Sequence, residues 1–354
     1  MFWVLKYKGE NIMELDERKK KILALVVENY VESAEPVGSK QIAENYESDI
    51  SPATIRNEMK QLEEIGLLEQ PHISAGRVPS TLGYRYYVDN LMTNDTLSMV
   101  DVDYINNNIV SYGSAEKTLE HAAEVISRIL KVPTVLNIKN TDVIENIKIL
   151  KISEKILLIV LMSNSGSVKD VVVQITDSLP ETRIDELSKL LNKNLKGTPL
   201  EELSHVLNEV IKKELSKFSS VLSEMEHIIR KELTAPKSEV KGNIEPLLNL
   251  PEFSDTSEVK KFLNVVNTRE IIQEVLEKID ENDVSVIIGN ESNEILLKDY
   301  SLISLDFEAS DTTSATLGIV TPKRVNYNKV VGTFKAVNER LKKIFGKEKE
   351  DSDG

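Results

Sequence analysis

At 354 residues, the chain is too long for a single core; its 40% hydrophobic and 29% charged content fits an ordinary folded protein of two or three domains. It has no cysteine, which excludes disulfides, thiolate nucleophiles and cysteine-ligated metals. The net charge of −14 excludes a uniformly basic surface, and residues 1–92 carry 11 Lys and Arg against 15 Asp and Glu. Any contact with nucleic acid must therefore come from a local patch, with acidic surface facing away. The longest apolar run, Ile156–Met162, is seven residues, far short of a membrane span. The first thirteen residues, MFWVLKYKGENIM, lack the apolar stretch and cleavage site of a signal peptide. A cytoplasmic protein with no membrane partner is expected. Met13 is a second candidate start, because the first helical pattern begins just after it.

Asp16 can cap a helix running to about Ala34, with Ile22, Leu23, Val26, Val27, Tyr30 and Val31 at helical spacing. Glu35-Pro36 should end it, since the residue before proline avoids the helical region. Ser39 then caps a short helix, KQIAENY, with Ile42, Ala43 and Tyr46 inward. After a polar turn, Ser51-Pro52 is a strong helix start: a serine N-cap, then proline at the first helical position. Gly66 is a natural end. Helix, short helix, turn and third helix suit a helix-turn-helix.

On the third helix Ile55, Met59 and Leu62 face inward, while Ala53, Asn57 and Lys60 face outward, flanked by Thr54, Arg56 and Gln61 and preceded by Ser51. Ala53 is small enough to let the helix sink into a groove. Asn57 can pair with adenine, and Arg56 or Lys60 can reach guanine or phosphate. The same pattern also suits an ordinary solvated helix face. The following stretch, QPHISAGRVP, bears on that choice. Gly66–Glu69 can leave as a strand, Ser74-Ala75-Gly76 can turn, and Arg77-Val78 can return before Pro79. A two-stranded ribbon after such a helix is the wing of a winged helix. Its His72, Ser74 and Arg77 would lie beside the phosphate backbone or in the minor groove. A loop arginine or histidine is otherwise simply solvated.

These residues carry a specific resemblance. EPVGSKQIAENY, SPATIRNEMKQLEEIGLLEQPHISAGRVPS and GYRYYVD resemble the amino-terminal region of the HrcA family, bacterial heat-inducible transcription repressors. NIEPLLNLPEFSD, VSVIIGNES and TLGIVTPKRVNYNKVV resemble the family's later segments more weakly, so the likeness runs from about Leu15 to Phe345. Two departures stand out. Thr321–Tyr327 reads T-P-K-R-V-N-Y where the family has G-P-[ST]-R-M-x-Y, and the loop after Pro79 reads S-T-L-G where charged middle positions are usual.

Downstream, Thr81–Met92 can form a helix with Tyr84, Tyr87 and Val88 inward, followed by a linker at 92–96. Helical patterns follow at about Val100–Asn108 and Ala115–Leu130, then strands at Thr134–Ile138, Ile147–Ile152, Ile156–Met162 and Val168–Ile175. Helices are expected at Glu181–Leu195 and Leu200–Leu233, the second with a break near Lys217–Ser220, and at Ser257–Ile279. Strands at Val284–Ile288, Tyr300–Leu305 and Thr316–Val320 precede a final helix at Asn328–Ile344. Strands on both sides of a helical region suggest an α+β domain with an insertion.

The resemblance implies a multidomain α+β protein with the following plan. Residues 1–92 form a winged helix-turn-helix domain, of which 1–13 are an extension. Residues 93–140 and 239–345 form a GAF-like domain, split by an inserted α+β dimerisation domain at 141–238, and 346–354 form a charged tail. It also implies a homodimer that represses chaperone operons from an inverted-repeat operator in double-stranded DNA, the CIRCE element, with the GroE chaperonin as partner.

No enzyme and no cofactor are expected. His72, His121, His205 and His227 are scattered, no H-E-x-x-H spacing or phosphate loop exists, and the pair Glu63-Glu64 reads as solvated surface. Gly289 in IIGNES reads as a plain turn. The other reading is a ligand-sensing regulator whose GAF-like domain binds a small molecule. It would require a concave apolar pocket that no cluster in the sequence marks.

Overall fold

The computed structural model describes residues 15–46, 50–93, 97–176, 178–213, 218–232, 238–267, 284–292 and 295–352. The 1–13 extension, most of the 92–96 linker and the second half of the expected 257–279 helix lie outside them. Two compact units divide the chain: Met1–Leu136, Glu239–Phe307 and Thr316–Gly354 form one, and Asn137–Ser238 with Glu308–Ala315 the other.

The first unit begins with α1 (Glu17–Ser33), capped by Asp16, whose side chain accepts from Lys19 N. Its end differs from expectation. Ala34 already turns left-handed and returns its N–H to Tyr30, so the helix stops before Glu35-Pro36 can act. In α2 (Ser39–Asn45), Gly38 occupies the N-cap and Ser39 is the first helical residue, buried rather than capping. Ser51 caps α3 (Pro52–Glu64) by accepting from Thr54 N at 3.1 Å, with Pro52 at the first position. The three helices pack on one another through Ile22, Leu23, Val26, Ile42, Ile55, Met59 and Leu62.

Strands β1 (Leu68–Glu69) and β2 (Val78–Pro79) pair antiparallel, with Leu68 opposite Pro79 and Glu69 opposite Val78. β1 is shorter than the expected Gly66–Glu69, and β2 is shifted by one residue from the expected Arg77–Val78. Arg77 lies outside β2 and exchanges both backbone hydrogen bonds with Val37, at 2.9 Å each. That bridge ties the ribbon to the loop between α1 and α2. α4 (Thr81–Asn90), capped by Ser80, follows and packs on α1. Then come α5 (Met99–Asn108), α6 (Ala115–Leu130) and β3 (Thr134–Asn140).

In the second unit β4 (Ile144–Ser153), β5 (Ile156–Ser163) and β6 (Val168–Gln174) form an antiparallel sheet in that order. One face is buried. Ile147, Ile149, Leu157, Ile159, Leu161, Val171 and Val173 pack with apolar residues of α7 (Glu181–Leu195), α8 (Leu203–Lys213) and α9 (Ser219–Glu232). The single Leu200–Leu233 helix is thus two helices that fold back on each other, with Ser204 of α8 donating to Glu226 of α9 at 2.7 Å. The opposite face carries Leu150, Ile152, Val168 and Val172, all exposed.

Returning to the first unit, β7 (Ser238–Lys241) and α10 (Glu245–Leu248) were not expected. α11 (Thr256–Asn267), β8 (Val284–Ile288), β9 (Tyr300–Glu308), β10 (Thr313–Pro322) and a C-terminal helix, Tyr327–Ser352, complete the chain. β7, β3, β10, β9 and β8 make a five-stranded sheet in that order. The C-terminal helix packs along α5 and α6, burying Phe334, Val337 and Leu341 with Ile105, Leu119 and Ala123. Among the described residues no helix is long and apolar enough to cross a membrane.

Candidate nucleic-acid interface

The third helix divides cleanly between two faces. Ile55 and Leu62 are fully buried and Met59 nearly so. Glu58 is tied down by α1, with its carboxylate 3.1 Å from Lys19 and 3.5 Å from Arg18. These contacts fix the rotation of α3, and Ala53, Arg56, Asn57, Lys60 and Gln61 are consequently exposed. Arg56 and Asn57 make no hydrogen bond or ion pair among the described residues. Lys60 stands 3.6 Å from Glu64 in an open pair that water screens. Ser51 and Thr54 are committed locally, each hydroxyl 2.9 Å from the other at the cap. The helix thus offers a short polar face with one small residue, two amides and two cations, the residue types that read base edges in a major groove.

The ribbon is held from inside. Gln70 Nε2 donates to the carbonyls of Ile73 and Ala75 at 2.9 and 3.0 Å, and Ala75 N–H donates to the His72 carbonyl at 2.9 Å. Gly76 lies so close to the Val37 carbonyl that a Cβ there would overlap it. His72, Ile73 and Ser74 project from this buckled tip, with Ile73 100% exposed.

Arg77 is placed differently from a free loop arginine. Its Nε and Nη2 lie 2.9 and 2.8 Å from the same Glu63 oxygen, and its side chain is only 18% exposed. Of the pair Glu63-Glu64, expected as solvated surface, Glu64 is exposed beside Lys60, whereas Glu63 is half-buried and holds Arg77. What sequence reasoning missed are Glu63, Gln70 and Ile73. A glutamine flanking a glycine-containing turn is a detectable signal for the buckle, whereas the Glu63–Arg77 pairing spans fourteen residues and leaves no local one.

The remaining histidines are dispersed. His121 stacks on Tyr112 at 3.9 Å, and His205 and His227 are exposed on the second unit. Among the described residues no group of three or more His, Cys, Asp or Glu is placed to hold a metal ion.

Known proteins match this architecture along its length. Residues 14–89 match the family model "Winged helix-turn-helix transcription repressor, HrcA DNA-binding", and residues 116–331 match "HrcA protein C terminal domain". The heat-inducible transcription repressor HrcA of Ruminiclostridium cellulolyticum is 32% identical over 93% of this chain and 97% of its own. That of Acetivibrio thermocellus is 33% identical over 95% and 99%. A crystal structure of a hypothetical protein, at 2.2 Å resolution, superposes with a TM-score of 0.70 over 94% of this chain and 99% of its own, at 23% identity, which speaks to fold alone. The chain belongs to the HrcA family of heat-inducible transcription repressors, a family of winged-helix DNA-binding regulators and not of enzymes.

Proposed function

We propose that the chain represses chaperone operons in the cytoplasm by binding an inverted-repeat operator, the CIRCE element, as a homodimer that occludes the promoter. The observation that carries this reading is the open face of α3, where Arg56 and Asn57 stand unpartnered beside a buckled ribbon. In this reading Ala53 admits the helix to the major groove, Asn57 pairs with adenine, and Arg56 and Lys60 take guanine or phosphate. Ser51, Thr54 and Gln61 flank them at the backbone. His72 and Ser74 meet phosphate or minor groove from the wing. Arg77 contributes through Nη1, its other two donor nitrogens being given to Glu63.

Dimerisation is supported by the second unit. Antiparallel sheets with one wet face alternate apolar and polar residues, yet β5 reads ILLIVLMS, apolar on both faces. Leu150 and Val172 flank Leu158 on the outer face, and Val168 pairs with Met162. Such a face invites a second copy related by a two-fold axis. On this reading residues 141–238 are the inserted dimerisation domain, and 93–140 with 239–345 are GAF-like. The GroE chaperonin is the partner that the family likeness supplies. The test is a gel-shift titration against a CIRCE duplex with a scrambled duplex as control. Equal affinity for both would overturn the reading.

The ligand-sensing alternative has one observation to lean on: an open cleft of about 300 Å³ lined by Glu124, Ser127, Arg128, Lys131, Gly242, Asn243 and Pro246. Its charged rim is unlike the apolar pockets that enclose small ligands. Reproducible stabilisation by one metabolite in a thermal-shift screen would favour it.

A further inference from the structure

Two stretches singled out in the sequence, GYRYYVDN at 83–90 and TPKRVNYN at 321–328, play no part in the DNA-reading surface. Within the first unit they meet. Arg85 of α4 reaches the turn after β8, where Nε and Nη2 lie 2.8 and 2.6 Å from the two oxygens of Glu291, and Nη2 also donates to the Val286 carbonyl. Glu291 is fixed in turn by Ile288 N–H at 2.7 Å. Arg324 mirrors this from the other side. It grips Glu252 with Nε and Nη2 and donates from Nη1 to the Val31 carbonyl at 2.6 Å, in the last turn of α1. Between them Tyr84 and Tyr327 pack ring to ring at 5.6 Å, and Asn328 donates to the Tyr87 hydroxyl at 2.8 Å.

Both arginine side chains are nearly buried, at 12% and 10% exposure. Buried, bidentate arginine pairs fix geometry more than they add stability, because desolvation offsets most of their attraction. Arg85 crosses from the winged helix to Glu291 and the Val286 carbonyl, and Arg324 crosses back to the Val31 carbonyl, so each loses its crossing contact if the winged helix shifts against the strands. The outward residues Ala53, Arg56, Asn57, Lys60 and Gln61 of α3 stay exposed in this arrangement. The contact therefore orients the DNA-reading helix without covering it.

We propose that Arg85 and Arg324 are positioning residues for operator binding: they lock the winged helix in one orientation, so that a dimer presents its two recognition helices at one fixed separation. The inference rests on the dimer and inverted-repeat reading above. Without the two arginines, the Tyr84–Tyr327 packing and the Asn328–Tyr87 hydrogen bond would hold the winged helix less rigidly, over a range of orientations. The second half-site would then be engaged at a lower effective concentration.

The test uses the full chain and fluorescence anisotropy on four duplexes. They are a single CIRCE half-site, the intact inverted repeat, and repeats with the spacer lengthened by about five and about ten base pairs, a half and a full helical turn. Arg85→Gln with Arg324→Gln should leave half-site binding unchanged, weaken the intact repeat by about tenfold or more, and flatten the dependence on spacer. The charge-swapped pair Arg85→Glu with Glu291→Arg should restore a spacer preference that Arg85→Glu alone lacks. An unchanged spacer preference in the double variant, or tighter binding to the intact repeat, overturns the positioning role while leaving the repressor reading standing. If the double variant also loses the half-site, the swapped pair decides: recovery supports the proposal and no recovery overturns it. Failure of the unaltered protein to prefer the repeat over the half-site overturns both.

Discussion

At the scale of single residues, the proposed DNA-reading surface can be divided experimentally into recognition and attraction. Asn57 is exposed and unpaired, with an amide that matches the adenine edge. Asn57→Ala should cost about 1–3 kcal/mol on the correct operator and nearly nothing on a scrambled one, so the ratio of the two affinities is the measurement. Glu63 acts in the opposite sense. Its carboxylate neutralises Arg77, the cation of the wing. Glu63→Gln should tighten binding to any duplex and steepen the plot of log affinity against log salt by about one unit, because one more positive charge can then release a counterion. An unchanged salt slope would show that Arg77 does not approach the backbone. Arg77→Ala in the same titration should weaken binding to every duplex alike.

At the scale of elements, what could be read in advance was what local chemistry dictates. Ser51-Pro52 fixes the start of α3, Asp16 that of α1, and the 3.6-residue period of Ile55, Met59 and Leu62 fixes which face turns out. What could not be read depends on contacts between distant residues. The wing strands are two residues each and stand only because Val37 bridges Arg77 and Gln70 buckles the tip. The end of α1 follows from a left-handed Ala34, which nothing in its side chain favours. The length of the Leu200–Leu233 run pointed to a break near Lys217–Ser220, but not to the fold-back of α8 on α9, because both helices keep one apolar period. Glu63 looked solvated because its partner lies on another element. Gly83 shows how tightly these elements meet: a Cβ on this α4 residue would overlap the Leu67 carbonyl just before β1. Backbone cannot yield as a side-chain tip can. Gly83→Ala should therefore destabilise the chain by about 1–3 kcal/mol, seen as a lower melting temperature, although alanine is the better helix former.

At the scale of the whole molecule, the net charge of −14 sets how the protein can meet DNA. Long-range attraction is weak, so on the proposed dimer reading affinity comes from simultaneous engagement of two short faces bearing Arg56 and Lys60, and dimerisation is part of DNA binding itself. The candidate dimer surface is the outer face of the β4–β5–β6 sheet. Val172 is 53% exposed there and sits opposite Leu158. A charge at its centre would have to be buried unpaired when two copies close, a penalty of several kcal/mol. It would be solvated in the isolated chain, where the fold has no reason to suffer. Val172→Lys should thus yield a folded monomer in sedimentation equilibrium, with an unchanged melting curve at low concentration. That monomer should keep half-site binding and lose its preference for the inverted repeat. A variant that still sediments as a dimer would move the interface elsewhere. A monomer that still preferred the repeat would separate operator specificity from dimerisation altogether.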